Sequence, residues 1–243
     1  MFRMKNNTQK NSYSLSPEMA LEASRFFGKH VTPAKAVAVL LFSLLTAVSP
    51  MLLGLRLWTQ IPSIVETGLI GPGGKDDSLP RAVLVFGIPG LMCVLNLICH
   101  GQLWFHQKVS KIPPTPIRLF GRWGIPVISV LLCSFWIMRA AGEAVSVSFF
   151  VPEALALLLL LLGSHFFDCT RDSRFAFHLK RIEHWEMPWR KTHRLAGICW
   201  MLAGLQLLVF YFVLGTLPWY SFVLAVLLLL SEFPAARYYS RKS

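Results

Sequence analysis

The sequence predicts an all-α fold: a polytopic membrane protein with six transmembrane helices and both termini in the cytoplasm. Two observations support this fold class. Of the 243 residues, 54% are hydrophobic and only 15% are charged, which is too apolar for a soluble domain of this length. Long apolar runs also alternate with short segments that concentrate Lys and Arg. An apolar run of about 20 residues forms a helix that crosses a hydrocarbon core of roughly 30 Å.

The apolar runs give the bounds of the predicted helices. One helix each is expected at 36–55, 81–104, 120–138 and 152–167, and two within 195–231. The last run is too long for one crossing, and Gly-Thr-Leu-Pro at 215–218 divides it with a tight turn. Pro50 predicts a kink in the first helix, and Pro89 an interruption in the second. Only 16 residues separate Arg122 from Arg139, which is short for a membrane helix. The third helix can cross the membrane if both Arg side chains extend to the membrane–water interfaces.

The distribution of basic residues orients these helices. Short loops rich in Lys and Arg stay on the cytoplasmic side of a membrane. The loop 168–194 holds seven basic residues and is therefore assigned to the cytoplasm. The layout also places both tails and the loop 105–123 inside. Of the 24 Lys and Arg residues, the only ones left outside are Arg56, Lys75, Arg81 and Arg139.

This layout divides the chain into three parts. Residues 1–35 form a cytoplasmic tail, 36–139 the first three helices, and 140–243 the last three helices with the basic loop 168–194. Within the tail, 16–27 has a helix-start pattern with apolar residues, which predicts a short helix either at the inner leaflet or in solution. The external loop 57–80 is expected to be irregular and not a strand, because Gly-Pro-Gly-Gly at 71–74 interrupts it.

Several uncommon side chains lie within the apolar runs. A lone Asn in a membrane helix favours a hydrogen bond to a neighbouring helix, and we expect this of Asn96. Glu153 directly follows Pro152, which favours the first turn of a helix over an ion path. Small residues recur seven positions apart at 196–197 and 203–204, which predicts one face for close helix contact.

The composition argues against several kinds of function. The net charge of +12 comes from residues at the ends of apolar runs, a pattern that indicates membrane lipid head groups as neighbours and not nucleic acid. His178, His184 and His193 lack the spacing of a zinc site, and the five Cys form no paired motif. No phosphate-binding Gly loop is present in the sequence. We therefore expect no metal, no cofactor and no enzymatic activity.

The candidate interaction site lies where the basic loop meets the fifth helix. Its residues are Trp189, Arg190, Lys191, His193 and Arg194. Three cations and a Trp at a membrane interface would by themselves anchor the helix, with the charges toward lipid phosphate.

The run Trp-Arg-Lys-Thr-His-Arg-Leu-Ala-Gly at 189–197 resembles a motif of the SdpI-type bacterial membrane proteins. In that family the motif also follows the cytoplasmic loop after the fourth span. The first half of the chain is similar, at 61–62, 73–77 and Arg81, to the domain of unknown function that often precedes the SdpI region. The resemblance is strongest from Gly163 onward.

The resemblance implies a multi-pass protein of the bacterial plasma membrane. It implies immunity to a membrane-active peptide toxin, associated signalling, or both. Its expected partners are a peptide toxin and a cytoplasmic regulator bound at the basic loop. The chain departs from the family at three places: Ser164 stands where members usually have Asn, 176–181 replaces a Gly-Ile-Arg-Thr-Pro-Trp-type stretch, and the external loop of the first half lacks the family's usual His and Asn. We therefore interpret it as a divergent member.

The alternative hypothesis is a small transporter or permease. Its motivation is the set of polar residues Asn96, His100 and Glu153, together with the break at 89–90. Transporters place such groups near the middle of the membrane, whereas here the sequence places them toward helix ends.

Overall fold

The computed structural model is a bundle of six helices that are long and apolar enough to cross a membrane, as the sequence predicts. It describes residues 33–70, 76–109, 117–167, 169, 176–178, 182 and 185–241. The predicted helix at 16–27 lies outside the described residues.

We number the six spans in chain order. They are span 1 (Pro33–Arg56), span 2 (Val83–Trp104), span 3 (Phe120–Ala140), span 4 (Val147–Phe166), span 5 (Glu186–Leu214) and span 6 (Trp219–Ser240). Span 1 consists of α1 (Pro33–Val48) and α2 (Pro50–Arg56), and span 2 of a π-helical segment (Val83–Gly87) and α3 (Ile88–Val109). Span 3 consists of α4 (Ile117–Ile128), a second π-helical segment (Ser129–Cys133) and α5 (Ser134–Ala140). Spans 4 and 5 are the single helices α6 and α7, and span 6 consists of α8 (Trp219–Leu229) and α9 (Glu232–Ser240).

The loop between spans 1 and 2 contains a β-hairpin, so the prediction that it holds no strand is wrong. Strands β1 (Ile64–Ile70) and β2 (Asp76–Pro80) are antiparallel, and Val65 pairs with Leu79. The Gly-Pro-Gly-Gly cluster lies between the strands in sequence, which is where a hairpin needs its turn residues. A turn cluster indicates a chain reversal but does not say whether the flanking residues pair.

Proline explains two of the helix irregularities. The helix is interrupted at Ser49, directly before Pro50, as predicted. The irregularity attributed to Pro89 occupies the preceding turn, the π-helical segment Val83–Gly87. A proline ring cannot coexist with a regular bond to the carbonyl four residues earlier, which here is Val85 in that segment.

Several predicted helix ends differ from the structure, among them the end of span 6, which reaches Ser240 and not 231. Span 4 begins at Val147 and not at 152, and span 5 begins at Glu186, so 186–194 is helix and not loop. Span 3 continues to Ala140; Arg122 near its start is buried against other parts of the protein, whereas Arg139 near its end is exposed.

Hydrogen bonds between the spans, or between residues beside their ends, identify the two ends of the bundle. At one end, Arg56 Nη1 donates to Tyr211 O over 3.1 Å, and Arg81 Nη1 donates to Trp58 O over 3.2 Å. We call this the hairpin end. At the other end, Trp123 Nε1 donates to Ser164 Oγ over 3.1 Å, and Trp200 Nε1 donates to Glu232 Oε2 over 3.4 Å. We call it the basic end, because Arg190, Lys191 and Arg194 lie there.

Spans 4 and 5 pack so closely that their backbones touch. A Cβ atom added to Gly197 would lie 2.7 Å from Gly163 O, and one added to Gly204 would lie 2.5 Å from Ala156 O. Both distances are shorter than real Cβ contacts, so only glycine fits without a shift. This confirms the predicted small-residue face, which allows close helix contact in a membrane.

We predict that Gly204→Ala destabilises the bundle by about 1–3 kcal/mol, because the new methyl group would press on the backbone of span 4. The matched control is Gly101→Ala, since a Cβ there meets nothing within 4 Å. Thermal unfolding in detergent checks both variants. A Gly204→Ala protein that melts with the parent would contradict the backbone contact.

Candidate functional site

The candidate site occupies the first turns of span 5. The helix begins at Glu186, an acidic residue favoured near a helix N-terminus, and Pro188 lies in the first turn, where proline is tolerated. Trp189 and His193 are four residues apart and therefore share one face of the helix. That face is buried, whereas Arg190 and Lys191 are exposed.

Trp189 and His193 form a stacked pair inside the protein. Their side chains are 2% and 1% exposed, and the ring centroids lie 4.0 Å apart with an interplanar angle of 28°. Trp189 Nε1 donates to Cys169 O over 3.0 Å, which attaches the loop to span 5. His193 Nδ1 lies 3.0 Å from Trp189 O. A carbonyl oxygen only accepts, so this bond requires the proton on Nδ1.

An aromatic cluster continues this pair toward span 4. Phe177 lies 6.2 Å from His193, 5.6 Å from Trp200 and 4.5 Å from Phe166, measured between ring centroids. Phe166 also meets Trp200 edge-on at 4.8 Å. Sequence reasoning did not identify these residues as part of the site. The available signal was Phe177, one of several apolar residues in a segment rich in charged residues.

The cations of the motif lie on the outer side of this packing. Arg194 Cζ lies 5.4 Å from the ring centroid of Phe167, and Lys191 Nζ lies 5.8 Å from that of Tyr239 in α9. Arg190 is exposed. The structure therefore divides the five predicted residues into a buried aromatic pair, Trp189 and His193, and three cations directed outward or along the surface.

A separate polar network joins spans 1, 2 and 3. The fully buried Asn96 donates from Nδ2 to Ser43 Oγ over 2.9 Å, which confirms the predicted interhelical hydrogen bond. His100 Nε2 lies 3.2 Å from Ser43 Oγ and 3.4 Å from Arg122 O. The Arg122 carbonyl is available because Pro126, four residues later, has no N–H to donate to it.

Glu153 does not lie in a first helical turn, so that prediction is wrong. The helix begins six residues earlier, at Val147, and continues through Pro152. The carboxyl group is fully buried, and Ser134 Oγ of span 3 lies 3.1 Å from its Oε2. Val147 and Phe149 to Val151 extend the apolar run toward the N-terminus, which lengthens the helix beyond the proline.

Residues that the structure describes line cavities that the sequence did not predict, two of which lie at opposite ends of the bundle. One, of about 490 Å³, lies beneath the hairpin and is lined by Glu66 and Leu79 together with Leu84, Trp136 and Arg139. The other, of about 320 Å³, lies near the basic end and is bordered by His100 and Arg122 among apolar residues of spans 1 and 2.

Within the part of the chain that the structure describes, no three His, Cys, Asp or Glu side chains form a group suited to a metal ion. His178 and His193 both contact Trp189, with ring centroids 5.8 Å and 4.0 Å from the indole. His184 lies outside the described residues.

No family model, curated protein or solved structure matches this chain. The case for a function therefore depends on the geometry of the chain's own residues.

We predict that Trp189→Ala lowers stability by about 3–5 kcal/mol, because it empties a buried site and leaves the Cys169 carbonyl without its indole donor. Trp185→Ala is the matched control, since that side chain is 55% exposed four residues earlier. The two variants are compared by extracting each in detergent, heating it to a series of temperatures and measuring how much protein stays monodisperse. Equal losses for both variants would contradict the buried role of Trp189.

Proposed function

We propose that the protein is a non-enzymatic, multi-pass protein of the bacterial plasma membrane, of the SdpI-like type. It acts in immunity to a membrane-active peptide toxin, in signalling the presence of that toxin, or in both. The observation that supports this most directly is the division of the motif at the start of span 5. Trp189 and His193 pack inside, while Arg190 and Lys191 are exposed for a partner.

In this proposal the basic end faces the cytoplasm, because Lys and Arg in short loops stay on that side of a membrane. Arg190 and Lys191 then meet anionic lipid head groups or an acidic surface of a cytoplasmic regulator. Trp189 and His193 act as positioning residues, since their stacked rings and the bond to Cys169 fix the helix on which the two cations stand.

Span 5 offers a physical route between the two ends of the bundle. It is one uninterrupted helix of 29 residues, about 43 Å long. Its hairpin end accepts the Arg56 hydrogen bond at Tyr211, and its basic end carries the motif. A toxin that displaces the hairpin end of span 5 would move the motif with it. This supports signalling from one side of the membrane to the other.

We predict that Arg190→Ala with Lys191→Ala abolishes protection of a sensitive bacterial strain challenged with a panel of membrane-active peptide toxins. The two exposed charges are lost, but the buried aromatic pair is kept. The control is Arg237→Ala with Arg241→Ala, which removes the same charge from two other exposed positions in and beside α9. Survival is measured at equal membrane levels of each protein.

Protection by the parent and by the control, but not by the motif variant, is the expected result. Full protection by the motif variant at normal protein level would overturn the assignment of these cations. The triple variant Trp189→Ala, His193→Ala, Arg194→Ala is less informative, because two of its changes remove buried side chains.

A second candidate function is a small permease, which the interior polar groups favour. Asn96, His100 and Ser43 form a network between spans 1 and 2, and Glu153 is buried between spans 3 and 4. Reconstituted vesicles with an imposed pH gradient and an internal pH-sensitive dye distinguish the candidates. We expect the gradient to decay no faster than in protein-free vesicles. Faster decay that Asn96→Ala abolishes would favour the permease.

A further inference from the structure

Glu153 is a carboxyl group buried within the membrane-spanning part of the bundle. Its side chain has 0% exposure, and it is the seventh residue of span 4, about 9 Å along the helix from Val147. It therefore lies in the half of the bundle nearer the hairpin end. Neither the candidate motif nor the polar network of Asn96 includes it.

The carboxyl group has one hydrogen-bond partner. Ser134 Oγ lies 3.1 Å from Oε2, whereas Oε1 has no partner among the residues that the structure describes. None of the described Lys or Arg side chains forms an ion pair with Glu153. The same Ser134 Oγ lies 3.3 Å from the backbone oxygen of Leu131.

The titratable groups around Glu153 are directed elsewhere. On span 5, the Tyr211 hydroxyl donates to Phe149 O over 3.0 Å, so its hydrogen is used by the span 4 backbone, although the residue is close enough for electrostatic interaction with Glu153. On span 1, Arg56 interacts with Tyr211 and with Glu143. On span 3, the Cys133 thiol lies 3.9 Å from Ser129 Oγ.

The atoms around Ser134 fit a neutral acid better than a carboxylate. Serine has one hydrogen to donate, yet two acceptors lie within reach, Leu131 O and Glu153 Oε2. If Oε2 carries a proton, Glu153 donates to Ser134 and Ser134 donates to Leu131 O, and both contacts become hydrogen bonds. A carboxylate would instead be a charge buried in an apolar medium with no cation beside it, which is strongly unfavourable.

The backbone of span 3 supports this contact. The π-helical segment Ser129–Cys133 ends immediately before Ser134. A π-helical turn contains an additional residue and so rotates the following residues around the helix axis. Such segments occur often at functional sites. Ser129 and Ser134 are both buried, and they contact different spans: Ser129 Oγ donates to Ala47 O of span 1, and Ser134 Oγ lies against Glu153 of span 4.

We propose that Glu153 is a proton-binding site and that the bound proton, shared with Ser134, holds span 3 against span 4. In the folded bundle the carboxylate takes up one proton and becomes a neutral carboxylic acid. Release of that proton leaves a charge between the two spans and separates them. This inference does not depend on the proposed function, because it concerns neither the motif of span 5 nor a toxin.

Infrared spectroscopy of the full-length protein in lipid nanodiscs tests the proton directly. At neutral pH, we expect a C=O stretching band of a protonated carboxylic acid that shifts in deuterated buffer and is missing from Glu153→Gln. The control Glu66→Gln, at an exposed position in β1, keeps the band. Absence of a band assignable to Glu153 would overturn the proposal. Should Glu153→Gln fail to fold, Ser134→Ala replaces it, because loss of the serine hydrogen bond must shift the band.

The pH dependence of stability gives a second test. The folded protein holds the proton more tightly than the unfolded chain, so its stability falls as the pH rises above about 4, the ordinary range of a carboxyl group, and levels off once the folded protein has also lost the proton. Glu153→Gln is neutral at every pH and loses this part of the dependence. We expect its melting temperature to exceed that of the parent by an amount that grows with pH. If the melting temperatures of the two proteins changed equally with pH across that range, the bound proton would be contradicted.

Discussion

The backbone contact between spans 4 and 5 sets the position of the other features at the basic end. Gly163 and Gly197 touch because neither has a side chain, and a Cβ on Gly197 would also meet the backbone of Phe167. His193 lies one helical turn before Gly197, so the closeness of the two helices brings its ring near Phe177, which follows span 4. Arg194 meets Phe167 for the same reason. The site is therefore built on helix packing that involves no polar side chain.

A second constraint is the scarcity of water in the interior of a membrane, where every polar group needs a partner within the protein. Pro126 removes one backbone donor from span 3, and His100 lies where it can donate to the carbonyl that is left. Ser129 Oγ donates to Ala47 O over 2.6 Å in the same region. At Pro126 a helix irregularity and a buried polar side chain thus occur together, since the proline leaves a carbonyl that a side chain of another span can satisfy.

The sequence predicted the six spans, the turn at 215–218, the hydrogen bond of Asn96 and the small-residue contact, because each has a local pattern. Gly215 adopts the left-handed conformation at φ 80°, as a turn after a helix favours. No local sequence pattern indicated the burial of Glu153, because its partner Ser134 belongs to another span. The start of span 5 was also missed. Cations suggested a loop, but the helix has a buried face of Trp189 and His193, which charge alone does not reveal. The family, the orientation in the membrane and the function stay predictions.

The length of span 5 has a consequence for the motif. At about 43 Å, the helix exceeds a hydrocarbon core of roughly 30 Å by about 13 Å, or two to three turns. That excess is comparable to the segment that carries Trp189, Arg190 and Lys191. How deeply these side chains sit in the head-group layer is then set by the thickness of the surrounding bilayer and the tilt of the helix. A thicker membrane immerses the cations among lipid phosphates, whereas a thinner one leaves them in water.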